Sequence, residues 1–216
     1  ESYALWNWMI EATGSGASNE AGSINTTSTL VDTTLGLSIS TYTGTGSNAT
    51  IGHGLGVVPK FFMVKRLNTA GTNWMVYASA IGATRNMVLD NDSDGSTSIT
   101  RWNNTEPTST LISLGTTTAV NGSSDTYVCY AFAPSQFISI GSYEGNGNAN
   151  GTFVPTFNSL GIPIQPVWAI TKSVDSTSDW DMYDKERLGY NPENAHLVSN
   201  ATTVESTADN LDIVTG

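Results

Sequence analysis

One acidic loop has the residue types and the spacing of a calcium-binding loop. Residues 90–95 read Asp-Asn-Asp-Ser-Asp-Gly, which places the carboxylates of Asp90, Asp92 and Asp94 at alternate positions. Oxygen ligands at that spacing can wrap a hard cation, and the glycine permits the sharp turn that follows. The twelfth position is Arg101, where an EF-hand requires a bidentate glutamate. Two interpretations remain open: a structural calcium site closed by distant carboxylates, or an acidic hairpin turn.

A second pair of acids flanks Trp180. Asp179 and Asp181 could supply the two carboxyl groups that glycoside hydrolysis uses on either side of a sugar. The same alternation of acidic and apolar residues is typical of a strand with one solvated face. In the repeat described below the matched residues are Asn73 and Met75, so the fold does not require acids there. We therefore expect a solvated strand face.

The histidines, the serines and the single cysteine form no recognisable catalytic motif. His53 lies in the glycine-rich run 52–56, and we expect it to anchor a turn by hydrogen bonds to the backbone. His196 lies in an unrelated context. Cys129 lies in the apolar run 127–132 and is predicted to be a buried small hydrophobic residue. Neither a G-x-S-x-G sequence nor a P-loop occurs, so we predict a non-enzymatic protein. We expect no cofactor; a structural calcium would be present only under the first interpretation of 90–95.

Tryptophan residues are the remaining candidates for ligand binding, because exposed aromatic rings stack on the faces of sugars. Trp74 and Trp180 occupy matched positions of the repeat, which favours a packing role. Trp102 has no matched tryptophan and precedes the polar residues 103–105, a sequence typical of a loop. Trp102 and Asn103 are therefore the predicted glycan contacts.

Composition excludes a mainly helical protein and several classes of partner. Only 12% of the 216 residues are charged, and the strong helix formers are scarce beside Thr, Ser, Asn and Gly. Eight Lys and Arg against nineteen Asp and Glu give a net charge of −11 without a basic cluster, so we expect no nucleic-acid partner. Apolar stretches are too short for a membrane span, and we expect no membrane insertion. The sequence begins at Glu1 without a leader, so we expect it to be either a processed chain or, as the favoured interpretation, part of a longer protein.

Three blocks of sequence recur in the same order, which indicates an internal duplication. The first has an aromatic residue followed by Gly-x-Gly, the second an apolar strand that ends in lysine, and the third a Trp-x-x-Tyr sequence. The second copies lie 101 to 107 residues after the first ones, a drift that loop insertions produce. The matched blocks are 40–46 and 141–147, 59–65 and 166–172, and 73–77 and 179–183.

The fold class that follows is all-β, with two tandem antiparallel β-sandwich units of jelly-roll or lectin-like type. Turn signals recur at short intervals, and the runs 61–64 and 127–132 are apolar at every position, which predicts strands covered on both faces. We divide the chain into an N-terminal strand with a Gly/Ser/Thr-rich connector that has room for one weak strand (1–37), a first unit (38–134) and a truncated second unit (135–216).

The N-terminal segment 2–8 resembles 126–132, the closing strand of the first unit. It is predicted as part of a strand at 2–10 that completes the second unit, in cis or in a neighbouring chain. Such donor-strand completion fills an open sheet edge with main-chain hydrogen bonds. The other interpretation is that the chain is a window cut from a longer array.

Residues 51–59 match an HGLG-x-x-P element that resembles a motif of phage tail fibres. With the other blocks, nearly all of residues 20–216 is similar to a repeated domain of virion structural proteins in marine tailed phages and cyanophages. In the second unit the element is altered to 157–161, so no turn-specific role of His53 is transferred there. The resemblance implies an all-β, non-enzymatic unit on the outside of a virus particle, and it supplies no catalytic residues.

The expected function is a virion surface structural protein, either a tail fibre or a head decoration, in an extracellular location. Its partners would be other virion proteins and copies of itself, with a host surface glycan as a further candidate. A carbohydrate-binding module for host attachment is the alternative. A polysaccharide depolymerase acting through Asp179 and Asp181 is the less favoured third hypothesis.

Overall fold

The computed structural model describes residues 16–148, 150–185, 195–206, 211 and 213, and its regular structure is almost entirely β. The described residues form twelve strands and one short helix. These are β1 (Ser28–Asp32), β2 (Leu37–Thr43), β3 (Ala49–Gly52), β4 (Phe61–Arg66), β5 (Met75–Ala78), β6 (Arg85–Val88), β7 (Ser96–Thr97), β8 (Leu111–Leu114), α1 (Thr118–Asn121), β9 (Thr126–Phe132), β10 (Trp168–Lys172), β11 (Trp180–Asp184) and β12 (His196–Val198).

The strands form three antiparallel sheets. A seven-stranded sheet has the order β1-β2-β9-β4-β5-β6-β7, a two-stranded sheet pairs β3 with β8, and a three-stranded sheet has the order β10-β11-β12. Every pair of neighbouring strands is antiparallel, which confirms the all-β prediction. The hydroxyl-rich composition therefore indicates the fold class correctly.

The main core lies between the seven-stranded sheet and the β3–β8 pair. It is formed by inward-facing side chains of β2, β4, β5 and β9 on one side and of β3 and β8 on the other. Aromatic rings fill its centre, where Phe62 stacks on Tyr77 at 4.5 Å and meets Trp102 edge-on at 4.8 Å. The first unit is thus a two-layered β-sandwich.

Strand β4 is covered on both faces, as its apolar sequence predicts. Phe62 and Val64 point into the main core, because side chains alternate along a strand. Phe61 and Met63 point the other way and join a second apolar cluster that contains Trp180 of β11. The three-stranded sheet therefore packs against the outer face of the first unit.

Strand β1 lies in the segment that the sequence predicts to be a connector. The buried hydroxyl of Thr29 in β1 has two hydroxyl partners outside the strand: Thr29 Oγ1 lies 2.8 Å from Thr26 Oγ1 and 3.1 Å from Ser40 Oγ of β2. Each hydroxyl can both donate and accept, so the row is satisfied without water. The sequence allows for one weak strand in this connector, and through β1 the seven-stranded sheet extends beyond the predicted start of the first unit at residue 38.

The β10–β11 hairpin has the same register as the β4–β5 hairpin. Each paired position in one hairpin corresponds, in the sequence repeat, to a paired position in the other. The corresponding pairs are Phe61↔Ala78 and Trp168↔Asp184, Phe62↔Tyr77 and Ala169↔Tyr183, Met63↔Val76 and Ile170↔Met182, and Val64↔Met75 and Thr171↔Asp181.

The third strand adds to each hairpin in the same way. Val76 lies opposite Met87 of β6, and the corresponding Met182 lies opposite Leu197 of β12. Main-chain hydrogen bonds just beyond the strands also correspond, since Leu89 N donates to Trp74 O (3.1 Å) and Ser199 N donates to Trp180 O (3.2 Å). Two three-stranded meanders therefore share one pattern.

Residues 135–216 are predicted to form a second sandwich unit, and their described part contains one sheet. Within 135–148, 150–185 and 195–206 the structure describes one three-stranded sheet and two isolated bridges, Phe157↔Pro163 and His196↔Ser206. The facing β3–β8 layer of the first unit has no counterpart among these described residues. The predicted N-terminal strand at 2–10 lies outside the described residues.

Candidate functional site

Asp90, Asp92 and Asp94, the candidate calcium ligands, lie in the turn between β6 and β7, and the carboxylate of Asp90 has a partner within the protein. The side-chain Oδ1 of Asp90 accepts a hydrogen bond from the main-chain nitrogen of Trp74 (2.9 Å), so this carboxylate faces the β5 strand. In the part of the chain that the structure describes, no group of three His, Cys, Asp or Glu side chains is placed to hold a metal ion. These contacts favour the acidic-turn interpretation of 90–95.

Cationic side chains donate hydrogen bonds to main-chain oxygen atoms of this turn. Arg85 donates from its guanidinium to the main-chain oxygens of Asp94 (3.1 Å) and Gly95 (3.0 Å), and also to that of Val174 (3.2 Å). Lys172 Nζ lies 3.3 Å from the main-chain oxygen of Asp92. A calcium ion would bind carbonyl oxygens of this kind. Here these oxygens accept hydrogen bonds from Arg85 and Lys172 instead.

The repeat explains why a side chain with an acceptor oxygen occurs at position 90. Asn200 corresponds to Asp90, and its Oδ1 accepts a hydrogen bond from Trp180 N at 2.8 Å, as Asp90 does from Trp74 N at 2.9 Å. Both side chains therefore close the end of a meander by binding the first residue of its central hairpin. An amide performs this task as well as a carboxylate, because the task needs only an acceptor oxygen.

Asp179 and Asp181 are bound to groups of their own unit. Asp179 Oδ1 accepts a hydrogen bond from Asn200 Nδ2 (2.7 Å), and Asp181 Oδ1 lies 3.6 Å from His196 Nε2. Partial burial raises the pKa of Asp181 above its usual value, Asp179 adds to the increase, and His196 and Lys172 oppose it. This arrangement resembles a satisfied strand face more than two carboxyls aimed at a substrate.

Lys172 links the two acidic groups that the sequence analysis treats separately. Burial lowers the pKa of its ammonium group, and the carboxylates of Asp94, Asp92, Asp179 and Asp181 act in the opposite direction. A protein cation thus lies among the acids of the 90–95 turn and of β11. These residues form a contact between the three-stranded sheet and the seven-stranded sheet.

Trp102 is fully buried, so the prediction that it contacts a glycan is wrong. Its side chain is 0% exposed and packs against Phe62 and Tyr77 in the main core. Asn103 and Asn104 have φ values of 50° and 49°, and Thr105 N donates to Trp102 O at 3.0 Å. These values describe a tight turn with two left-handed residues, a conformation that asparagine tolerates. Asn103 therefore shapes the turn that directs the indole inward.

His53 anchors a glycine-rich turn, as predicted. Its Nδ1 accepts a hydrogen bond from Leu55 N (3.2 Å), and its Nε2 lies 3.2 Å from Thr108 O. This pattern requires the neutral ring with its proton on Nε2. Burial lowers the pKa of His53, which favours the same neutral form, although the Thr108 hydrogen bond acts in the opposite direction. The ring therefore ties residues 53–55 to the loop before β8.

The two matched tryptophans have different surroundings. Trp180 is buried and donates from Nε1 to the main-chain oxygen of Val88 (2.9 Å), so it joins the second meander to the first unit. Trp74 is half-buried between Tyr130, at a ring distance of 5.9 Å, and Lys65 Nζ, at 5.7 Å. A packing role, as predicted, applies to both residues.

Sequence reasoning missed a segment in which many apolar side chains are exposed. Between β9 and β10, the described residues have almost no regular structure, and their large apolar side chains lie at the surface. A pattern of turn residues mixed with aromatic residues could have indicated it, but hydropathy alone assigns such residues to a core. The exposed members are Phe137, Tyr143, Phe153, Val154, Phe157, Leu160, Ile162 and Val167.

Comparisons with known proteins place the chain in a family. Among the described residues, no helix has the length and apolar character needed to cross a membrane. No curated protein and no solved structure matches the sequence significantly. The model of a family described as a domain of unknown function (DUF7483) matches residues 1–216. Since this match includes every residue of the sequence, the chain belongs to that family.

Proposed function

We propose that this protein is a non-enzymatic structural component of a tailed-phage virion surface, as a tail fibre or a head decoration, built from tandem copies of one β unit. The observation that carries the proposal is the common register of the β4–β5–β6 and β10–β11–β12 meanders. Repetition of one unit along a chain is a common way to build an extended, projecting protein. A surface rich in hydroxyl and amide groups suits such an exposed position.

The HGLG element supports a scaffolding role. In the resemblance to virion proteins this element is the most recognisable feature, and in this chain its histidine holds backbone atoms on both sides. A buried, neutral histidine with both nitrogens engaged is suited to fixing a turn. The element therefore contributes to folding, which is what a repeated structural domain requires of it.

The carbohydrate-binding and depolymerase alternatives lose the residues on which they were based. Trp102 is inside the core, where no sugar can stack on it. Asp179 and Asp181 are engaged by Asn200 and His196. The scaffolding hypothesis requires none of these side chains to be free, and it accounts for each of them by packing or by closing a turn.

The test is to locate the chain on intact particles. Purified particles of a tailed phage that encodes it would be labelled with gold-conjugated antibodies against the folded chain and imaged by electron microscopy. We expect label at one fixed position on the particle surface. Particles that carry no label, and in which mass spectrometry finds no peptide of this chain, would contradict the proposal.

A glycan array separates the structural role from host-glycan recognition. We expect no binding of the intact chain to any surface sugar on the array. Specific binding would favour the carbohydrate-binding alternative and would direct attention to the exposed aromatic residues Tyr143, Phe153 and Phe157.

A further inference from the structure

We propose that the Asn150–Gly151 pair is a site of spontaneous deamidation, at which the asparagine amide is converted to a carboxylate by the chain's own main-chain nitrogen and by water. The sequence contains three Asn–Gly pairs, at 121–122, 146–147 and 150–151. The pair at 146–147 reacts more slowly, and the pair at 121–122 is protected by the fold. This modification does not depend on the function proposed above.

The reaction at an Asn–Gly pair has two steps. The main-chain nitrogen of the glycine loses its proton and attacks the side-chain carbon Cγ of the asparagine, and the side-chain nitrogen takes up a proton and leaves as ammonia. Water then opens the resulting succinimide ring to give aspartate or isoaspartate. Asparagine is thermolabile for this reason, and glycine favours the attack because no Cβ atom shields its nitrogen.

The surroundings of Asn150 and Gly151 leave both reacting groups accessible. Both residues are exposed, in the segment between β9 and β10. Asn150 binds its neighbours through main-chain atoms: its nitrogen donates to Asn148 Oδ1 (3.0 Å), and its oxygen accepts from Asn146 Nδ2 (2.9 Å). Within the described part of the chain, the side chain of Asn150 makes no hydrogen bond. The amide can therefore turn toward the glycine nitrogen.

Asn146 is also followed by a glycine, but its side chain is restrained. Its Oδ1 accepts a hydrogen bond from Asn148 N (3.0 Å), and its Nδ2 donates to Asn150 O (2.9 Å). These two bonds fix the plane of the amide and oppose the rotation that the attack by Gly147 N requires. Since this side chain is exposed, the bonds delay the reaction without preventing it.

The third pair shows how the fold protects the same sequence. Asn121 is 0% exposed, and its Nδ2 donates to the main-chain oxygens of Ser47 (2.6 Å) and Gly115 (2.9 Å). The nitrogen that would attack is held as well, because Gly122 N donates to the Tyr127 hydroxyl at 2.7 Å. Both reacting groups are therefore fixed in the first unit, and solvent has no access to the amide.

Deamidation would add charge to a nearly uncharged part of the chain. Between Asp125 and Lys172, Glu144 is the only charged residue. The new carboxylate lies in the same segment as the exposed aromatic side chains Tyr143 and Phe153. It would make this segment less able to bind an apolar partner. The described strands do not include the reacting pair, so the charge can change while the sheets stay intact.

Peptide mass spectrometry of the folded, full-length chain tests the proposal. The chain is incubated in mildly alkaline buffer, which favours loss of the proton from the attacking nitrogen, and is then digested with chymotrypsin. Trypsin would leave the three pairs in one peptide, because no Lys or Arg lies between Arg101 and Lys172. We expect aspartate and isoaspartate to form first at position 150, later at 146, and not at 121. Conversion at 146 ahead of 150 would contradict the restraint by hydrogen bonds.

The variant Gly151→Ala is the matched control. A methyl group at Gly151 would meet no other atom within 4 Å, and the backbone there is not left-handed, so the variant should fold normally. The methyl group hinders the nitrogen, and we expect conversion at Asn150 to be lost while conversion at Asn146 continues. Unchanged conversion at Asn150 would show that its neighbouring nitrogen is not the attacking group.

Incubation in urea separates the effect of the fold from that of the sequence. Once the hydrogen bonds of Asn121 are lost, we expect its pair to react as fast as the pair at 150–151. The melting temperature of the deamidated folded chain should equal that of fresh chain. The proposal is overturned if Asn150 stays intact in the folded chain while the unfolded chain reacts, or if Asn121 reacts as fast as Asn150 before unfolding.

Discussion

Single side chains that resemble reactive groups serve in this protein to hold turns and fill the core. His53 uses both ring nitrogens on backbone atoms, and Trp102 fills the centre of the first sandwich. Glu106 is similar, since its carboxylate accepts hydrogen bonds from Ala83 N (2.7 Å) and from the Tyr77 hydroxyl. At this scale, the chemistry of a residue is decided by the atoms that surround it.

Stability should fall on acidification because of His53. Burial lowers the pKa of His53 in the folded state, whereas the unfolded value is about 6.5. The unfolded chain therefore binds the proton more readily, so the stability that the neutral ring contributes is present above pH 6.5 and is lost as the pH falls toward the folded value. Urea unfolding between pH 7.5 and 5 measures this slope.

The variant His53→Gln isolates the effect, because glutamine has an acceptor oxygen and does not titrate. We expect its free energy of unfolding to be lower at pH 7.5 but to depend less on pH than that of the unmodified chain. An unchanged pH slope in His53→Gln would assign the acid sensitivity to other groups.

Trp102→Ala should destabilise the protein strongly, whether or not a glycan is present. The indole is fully buried among aromatic rings, and truncation of such a side chain costs about 3–5 kcal/mol. Trp74→Ala is the matched control, because Trp74 is half-buried and its loss should cost less. The measurement is the free energy of unfolding in urea. Equal losses for the two variants would contradict the core position of Trp102.

At the scale of elements, the repeated piece is a three-stranded meander with a polar closing residue. Asp90 and Asn200 take the same place and accept a hydrogen bond from the matched tryptophan nitrogens. The sequence pattern of 90–95 suggests a metal because it contains three acids at alternate positions. In the structure the first acid, Asp90, accepts a hydrogen bond from Trp74 N, and any side chain with an acceptor oxygen could do the same.

The variants Asp90→Asn and Asp90→Ala distinguish closure from calcium binding. Asparagine keeps the acceptor oxygen, so we expect the melting temperature to change little, whereas alanine should cost about 0.5–1.5 kcal/mol, because the exposed Trp74 N–H loses its protein acceptor and binds water instead. Neither EDTA nor added calcium should shift the melting temperature of the unmodified chain. A calcium-dependent increase that Asp90→Asn removes would restore the metal site.

At the scale of the whole molecule, an acidic chain has one of its few cations at the contact between the seven-stranded and the three-stranded sheets. The net charge is −11, and repulsion among like charges opposes compaction. Lys172 lies among Asp92, Asp94, Asp179 and Asp181 and also donates to Ser173 O (2.9 Å). It therefore reduces repulsion between the 90–95 turn and β11.

Lys172→Gln should lower the melting temperature most at low ionic strength. Without the ammonium group the surrounding carboxylates repel one another, and salt screens this repulsion, with a Debye length of about 10 Å at 0.1 M. The difference from the unmodified chain should therefore shrink as NaCl is added. Lys60→Gln, at an exposed position, is the control and should show little difference at any salt concentration. A deficit in Lys172→Gln that salt does not reduce would indicate lost packing instead of lost charge.

The candidate site could be predicted only where the deciding contacts are close in sequence. The His53 turn is of this kind, because Leu55 lies two residues away and the glycines are adjacent. Trp102 and Asp90 are of the other kind. Their neighbours Phe62 and Trp74 are brought near by sheet pairing, and no local pattern at residues 102 or 90 contains that information.

The amino-acid sequence by itself determined the β class, the turns and the matched blocks of the two meanders, because strand alternation and turn conformation depend on neighbours along the chain. Tertiary structure alone decided that Trp102 is buried, that the Thr29 hydroxyl pairs with that of Ser40 in the next strand, and that Trp180 binds the outer face of the first unit. Burial and hydrogen-bond partners depend on residues distant in sequence. Two copies of one local pattern can therefore have unequal surroundings, as Tyr42 and Tyr143 do.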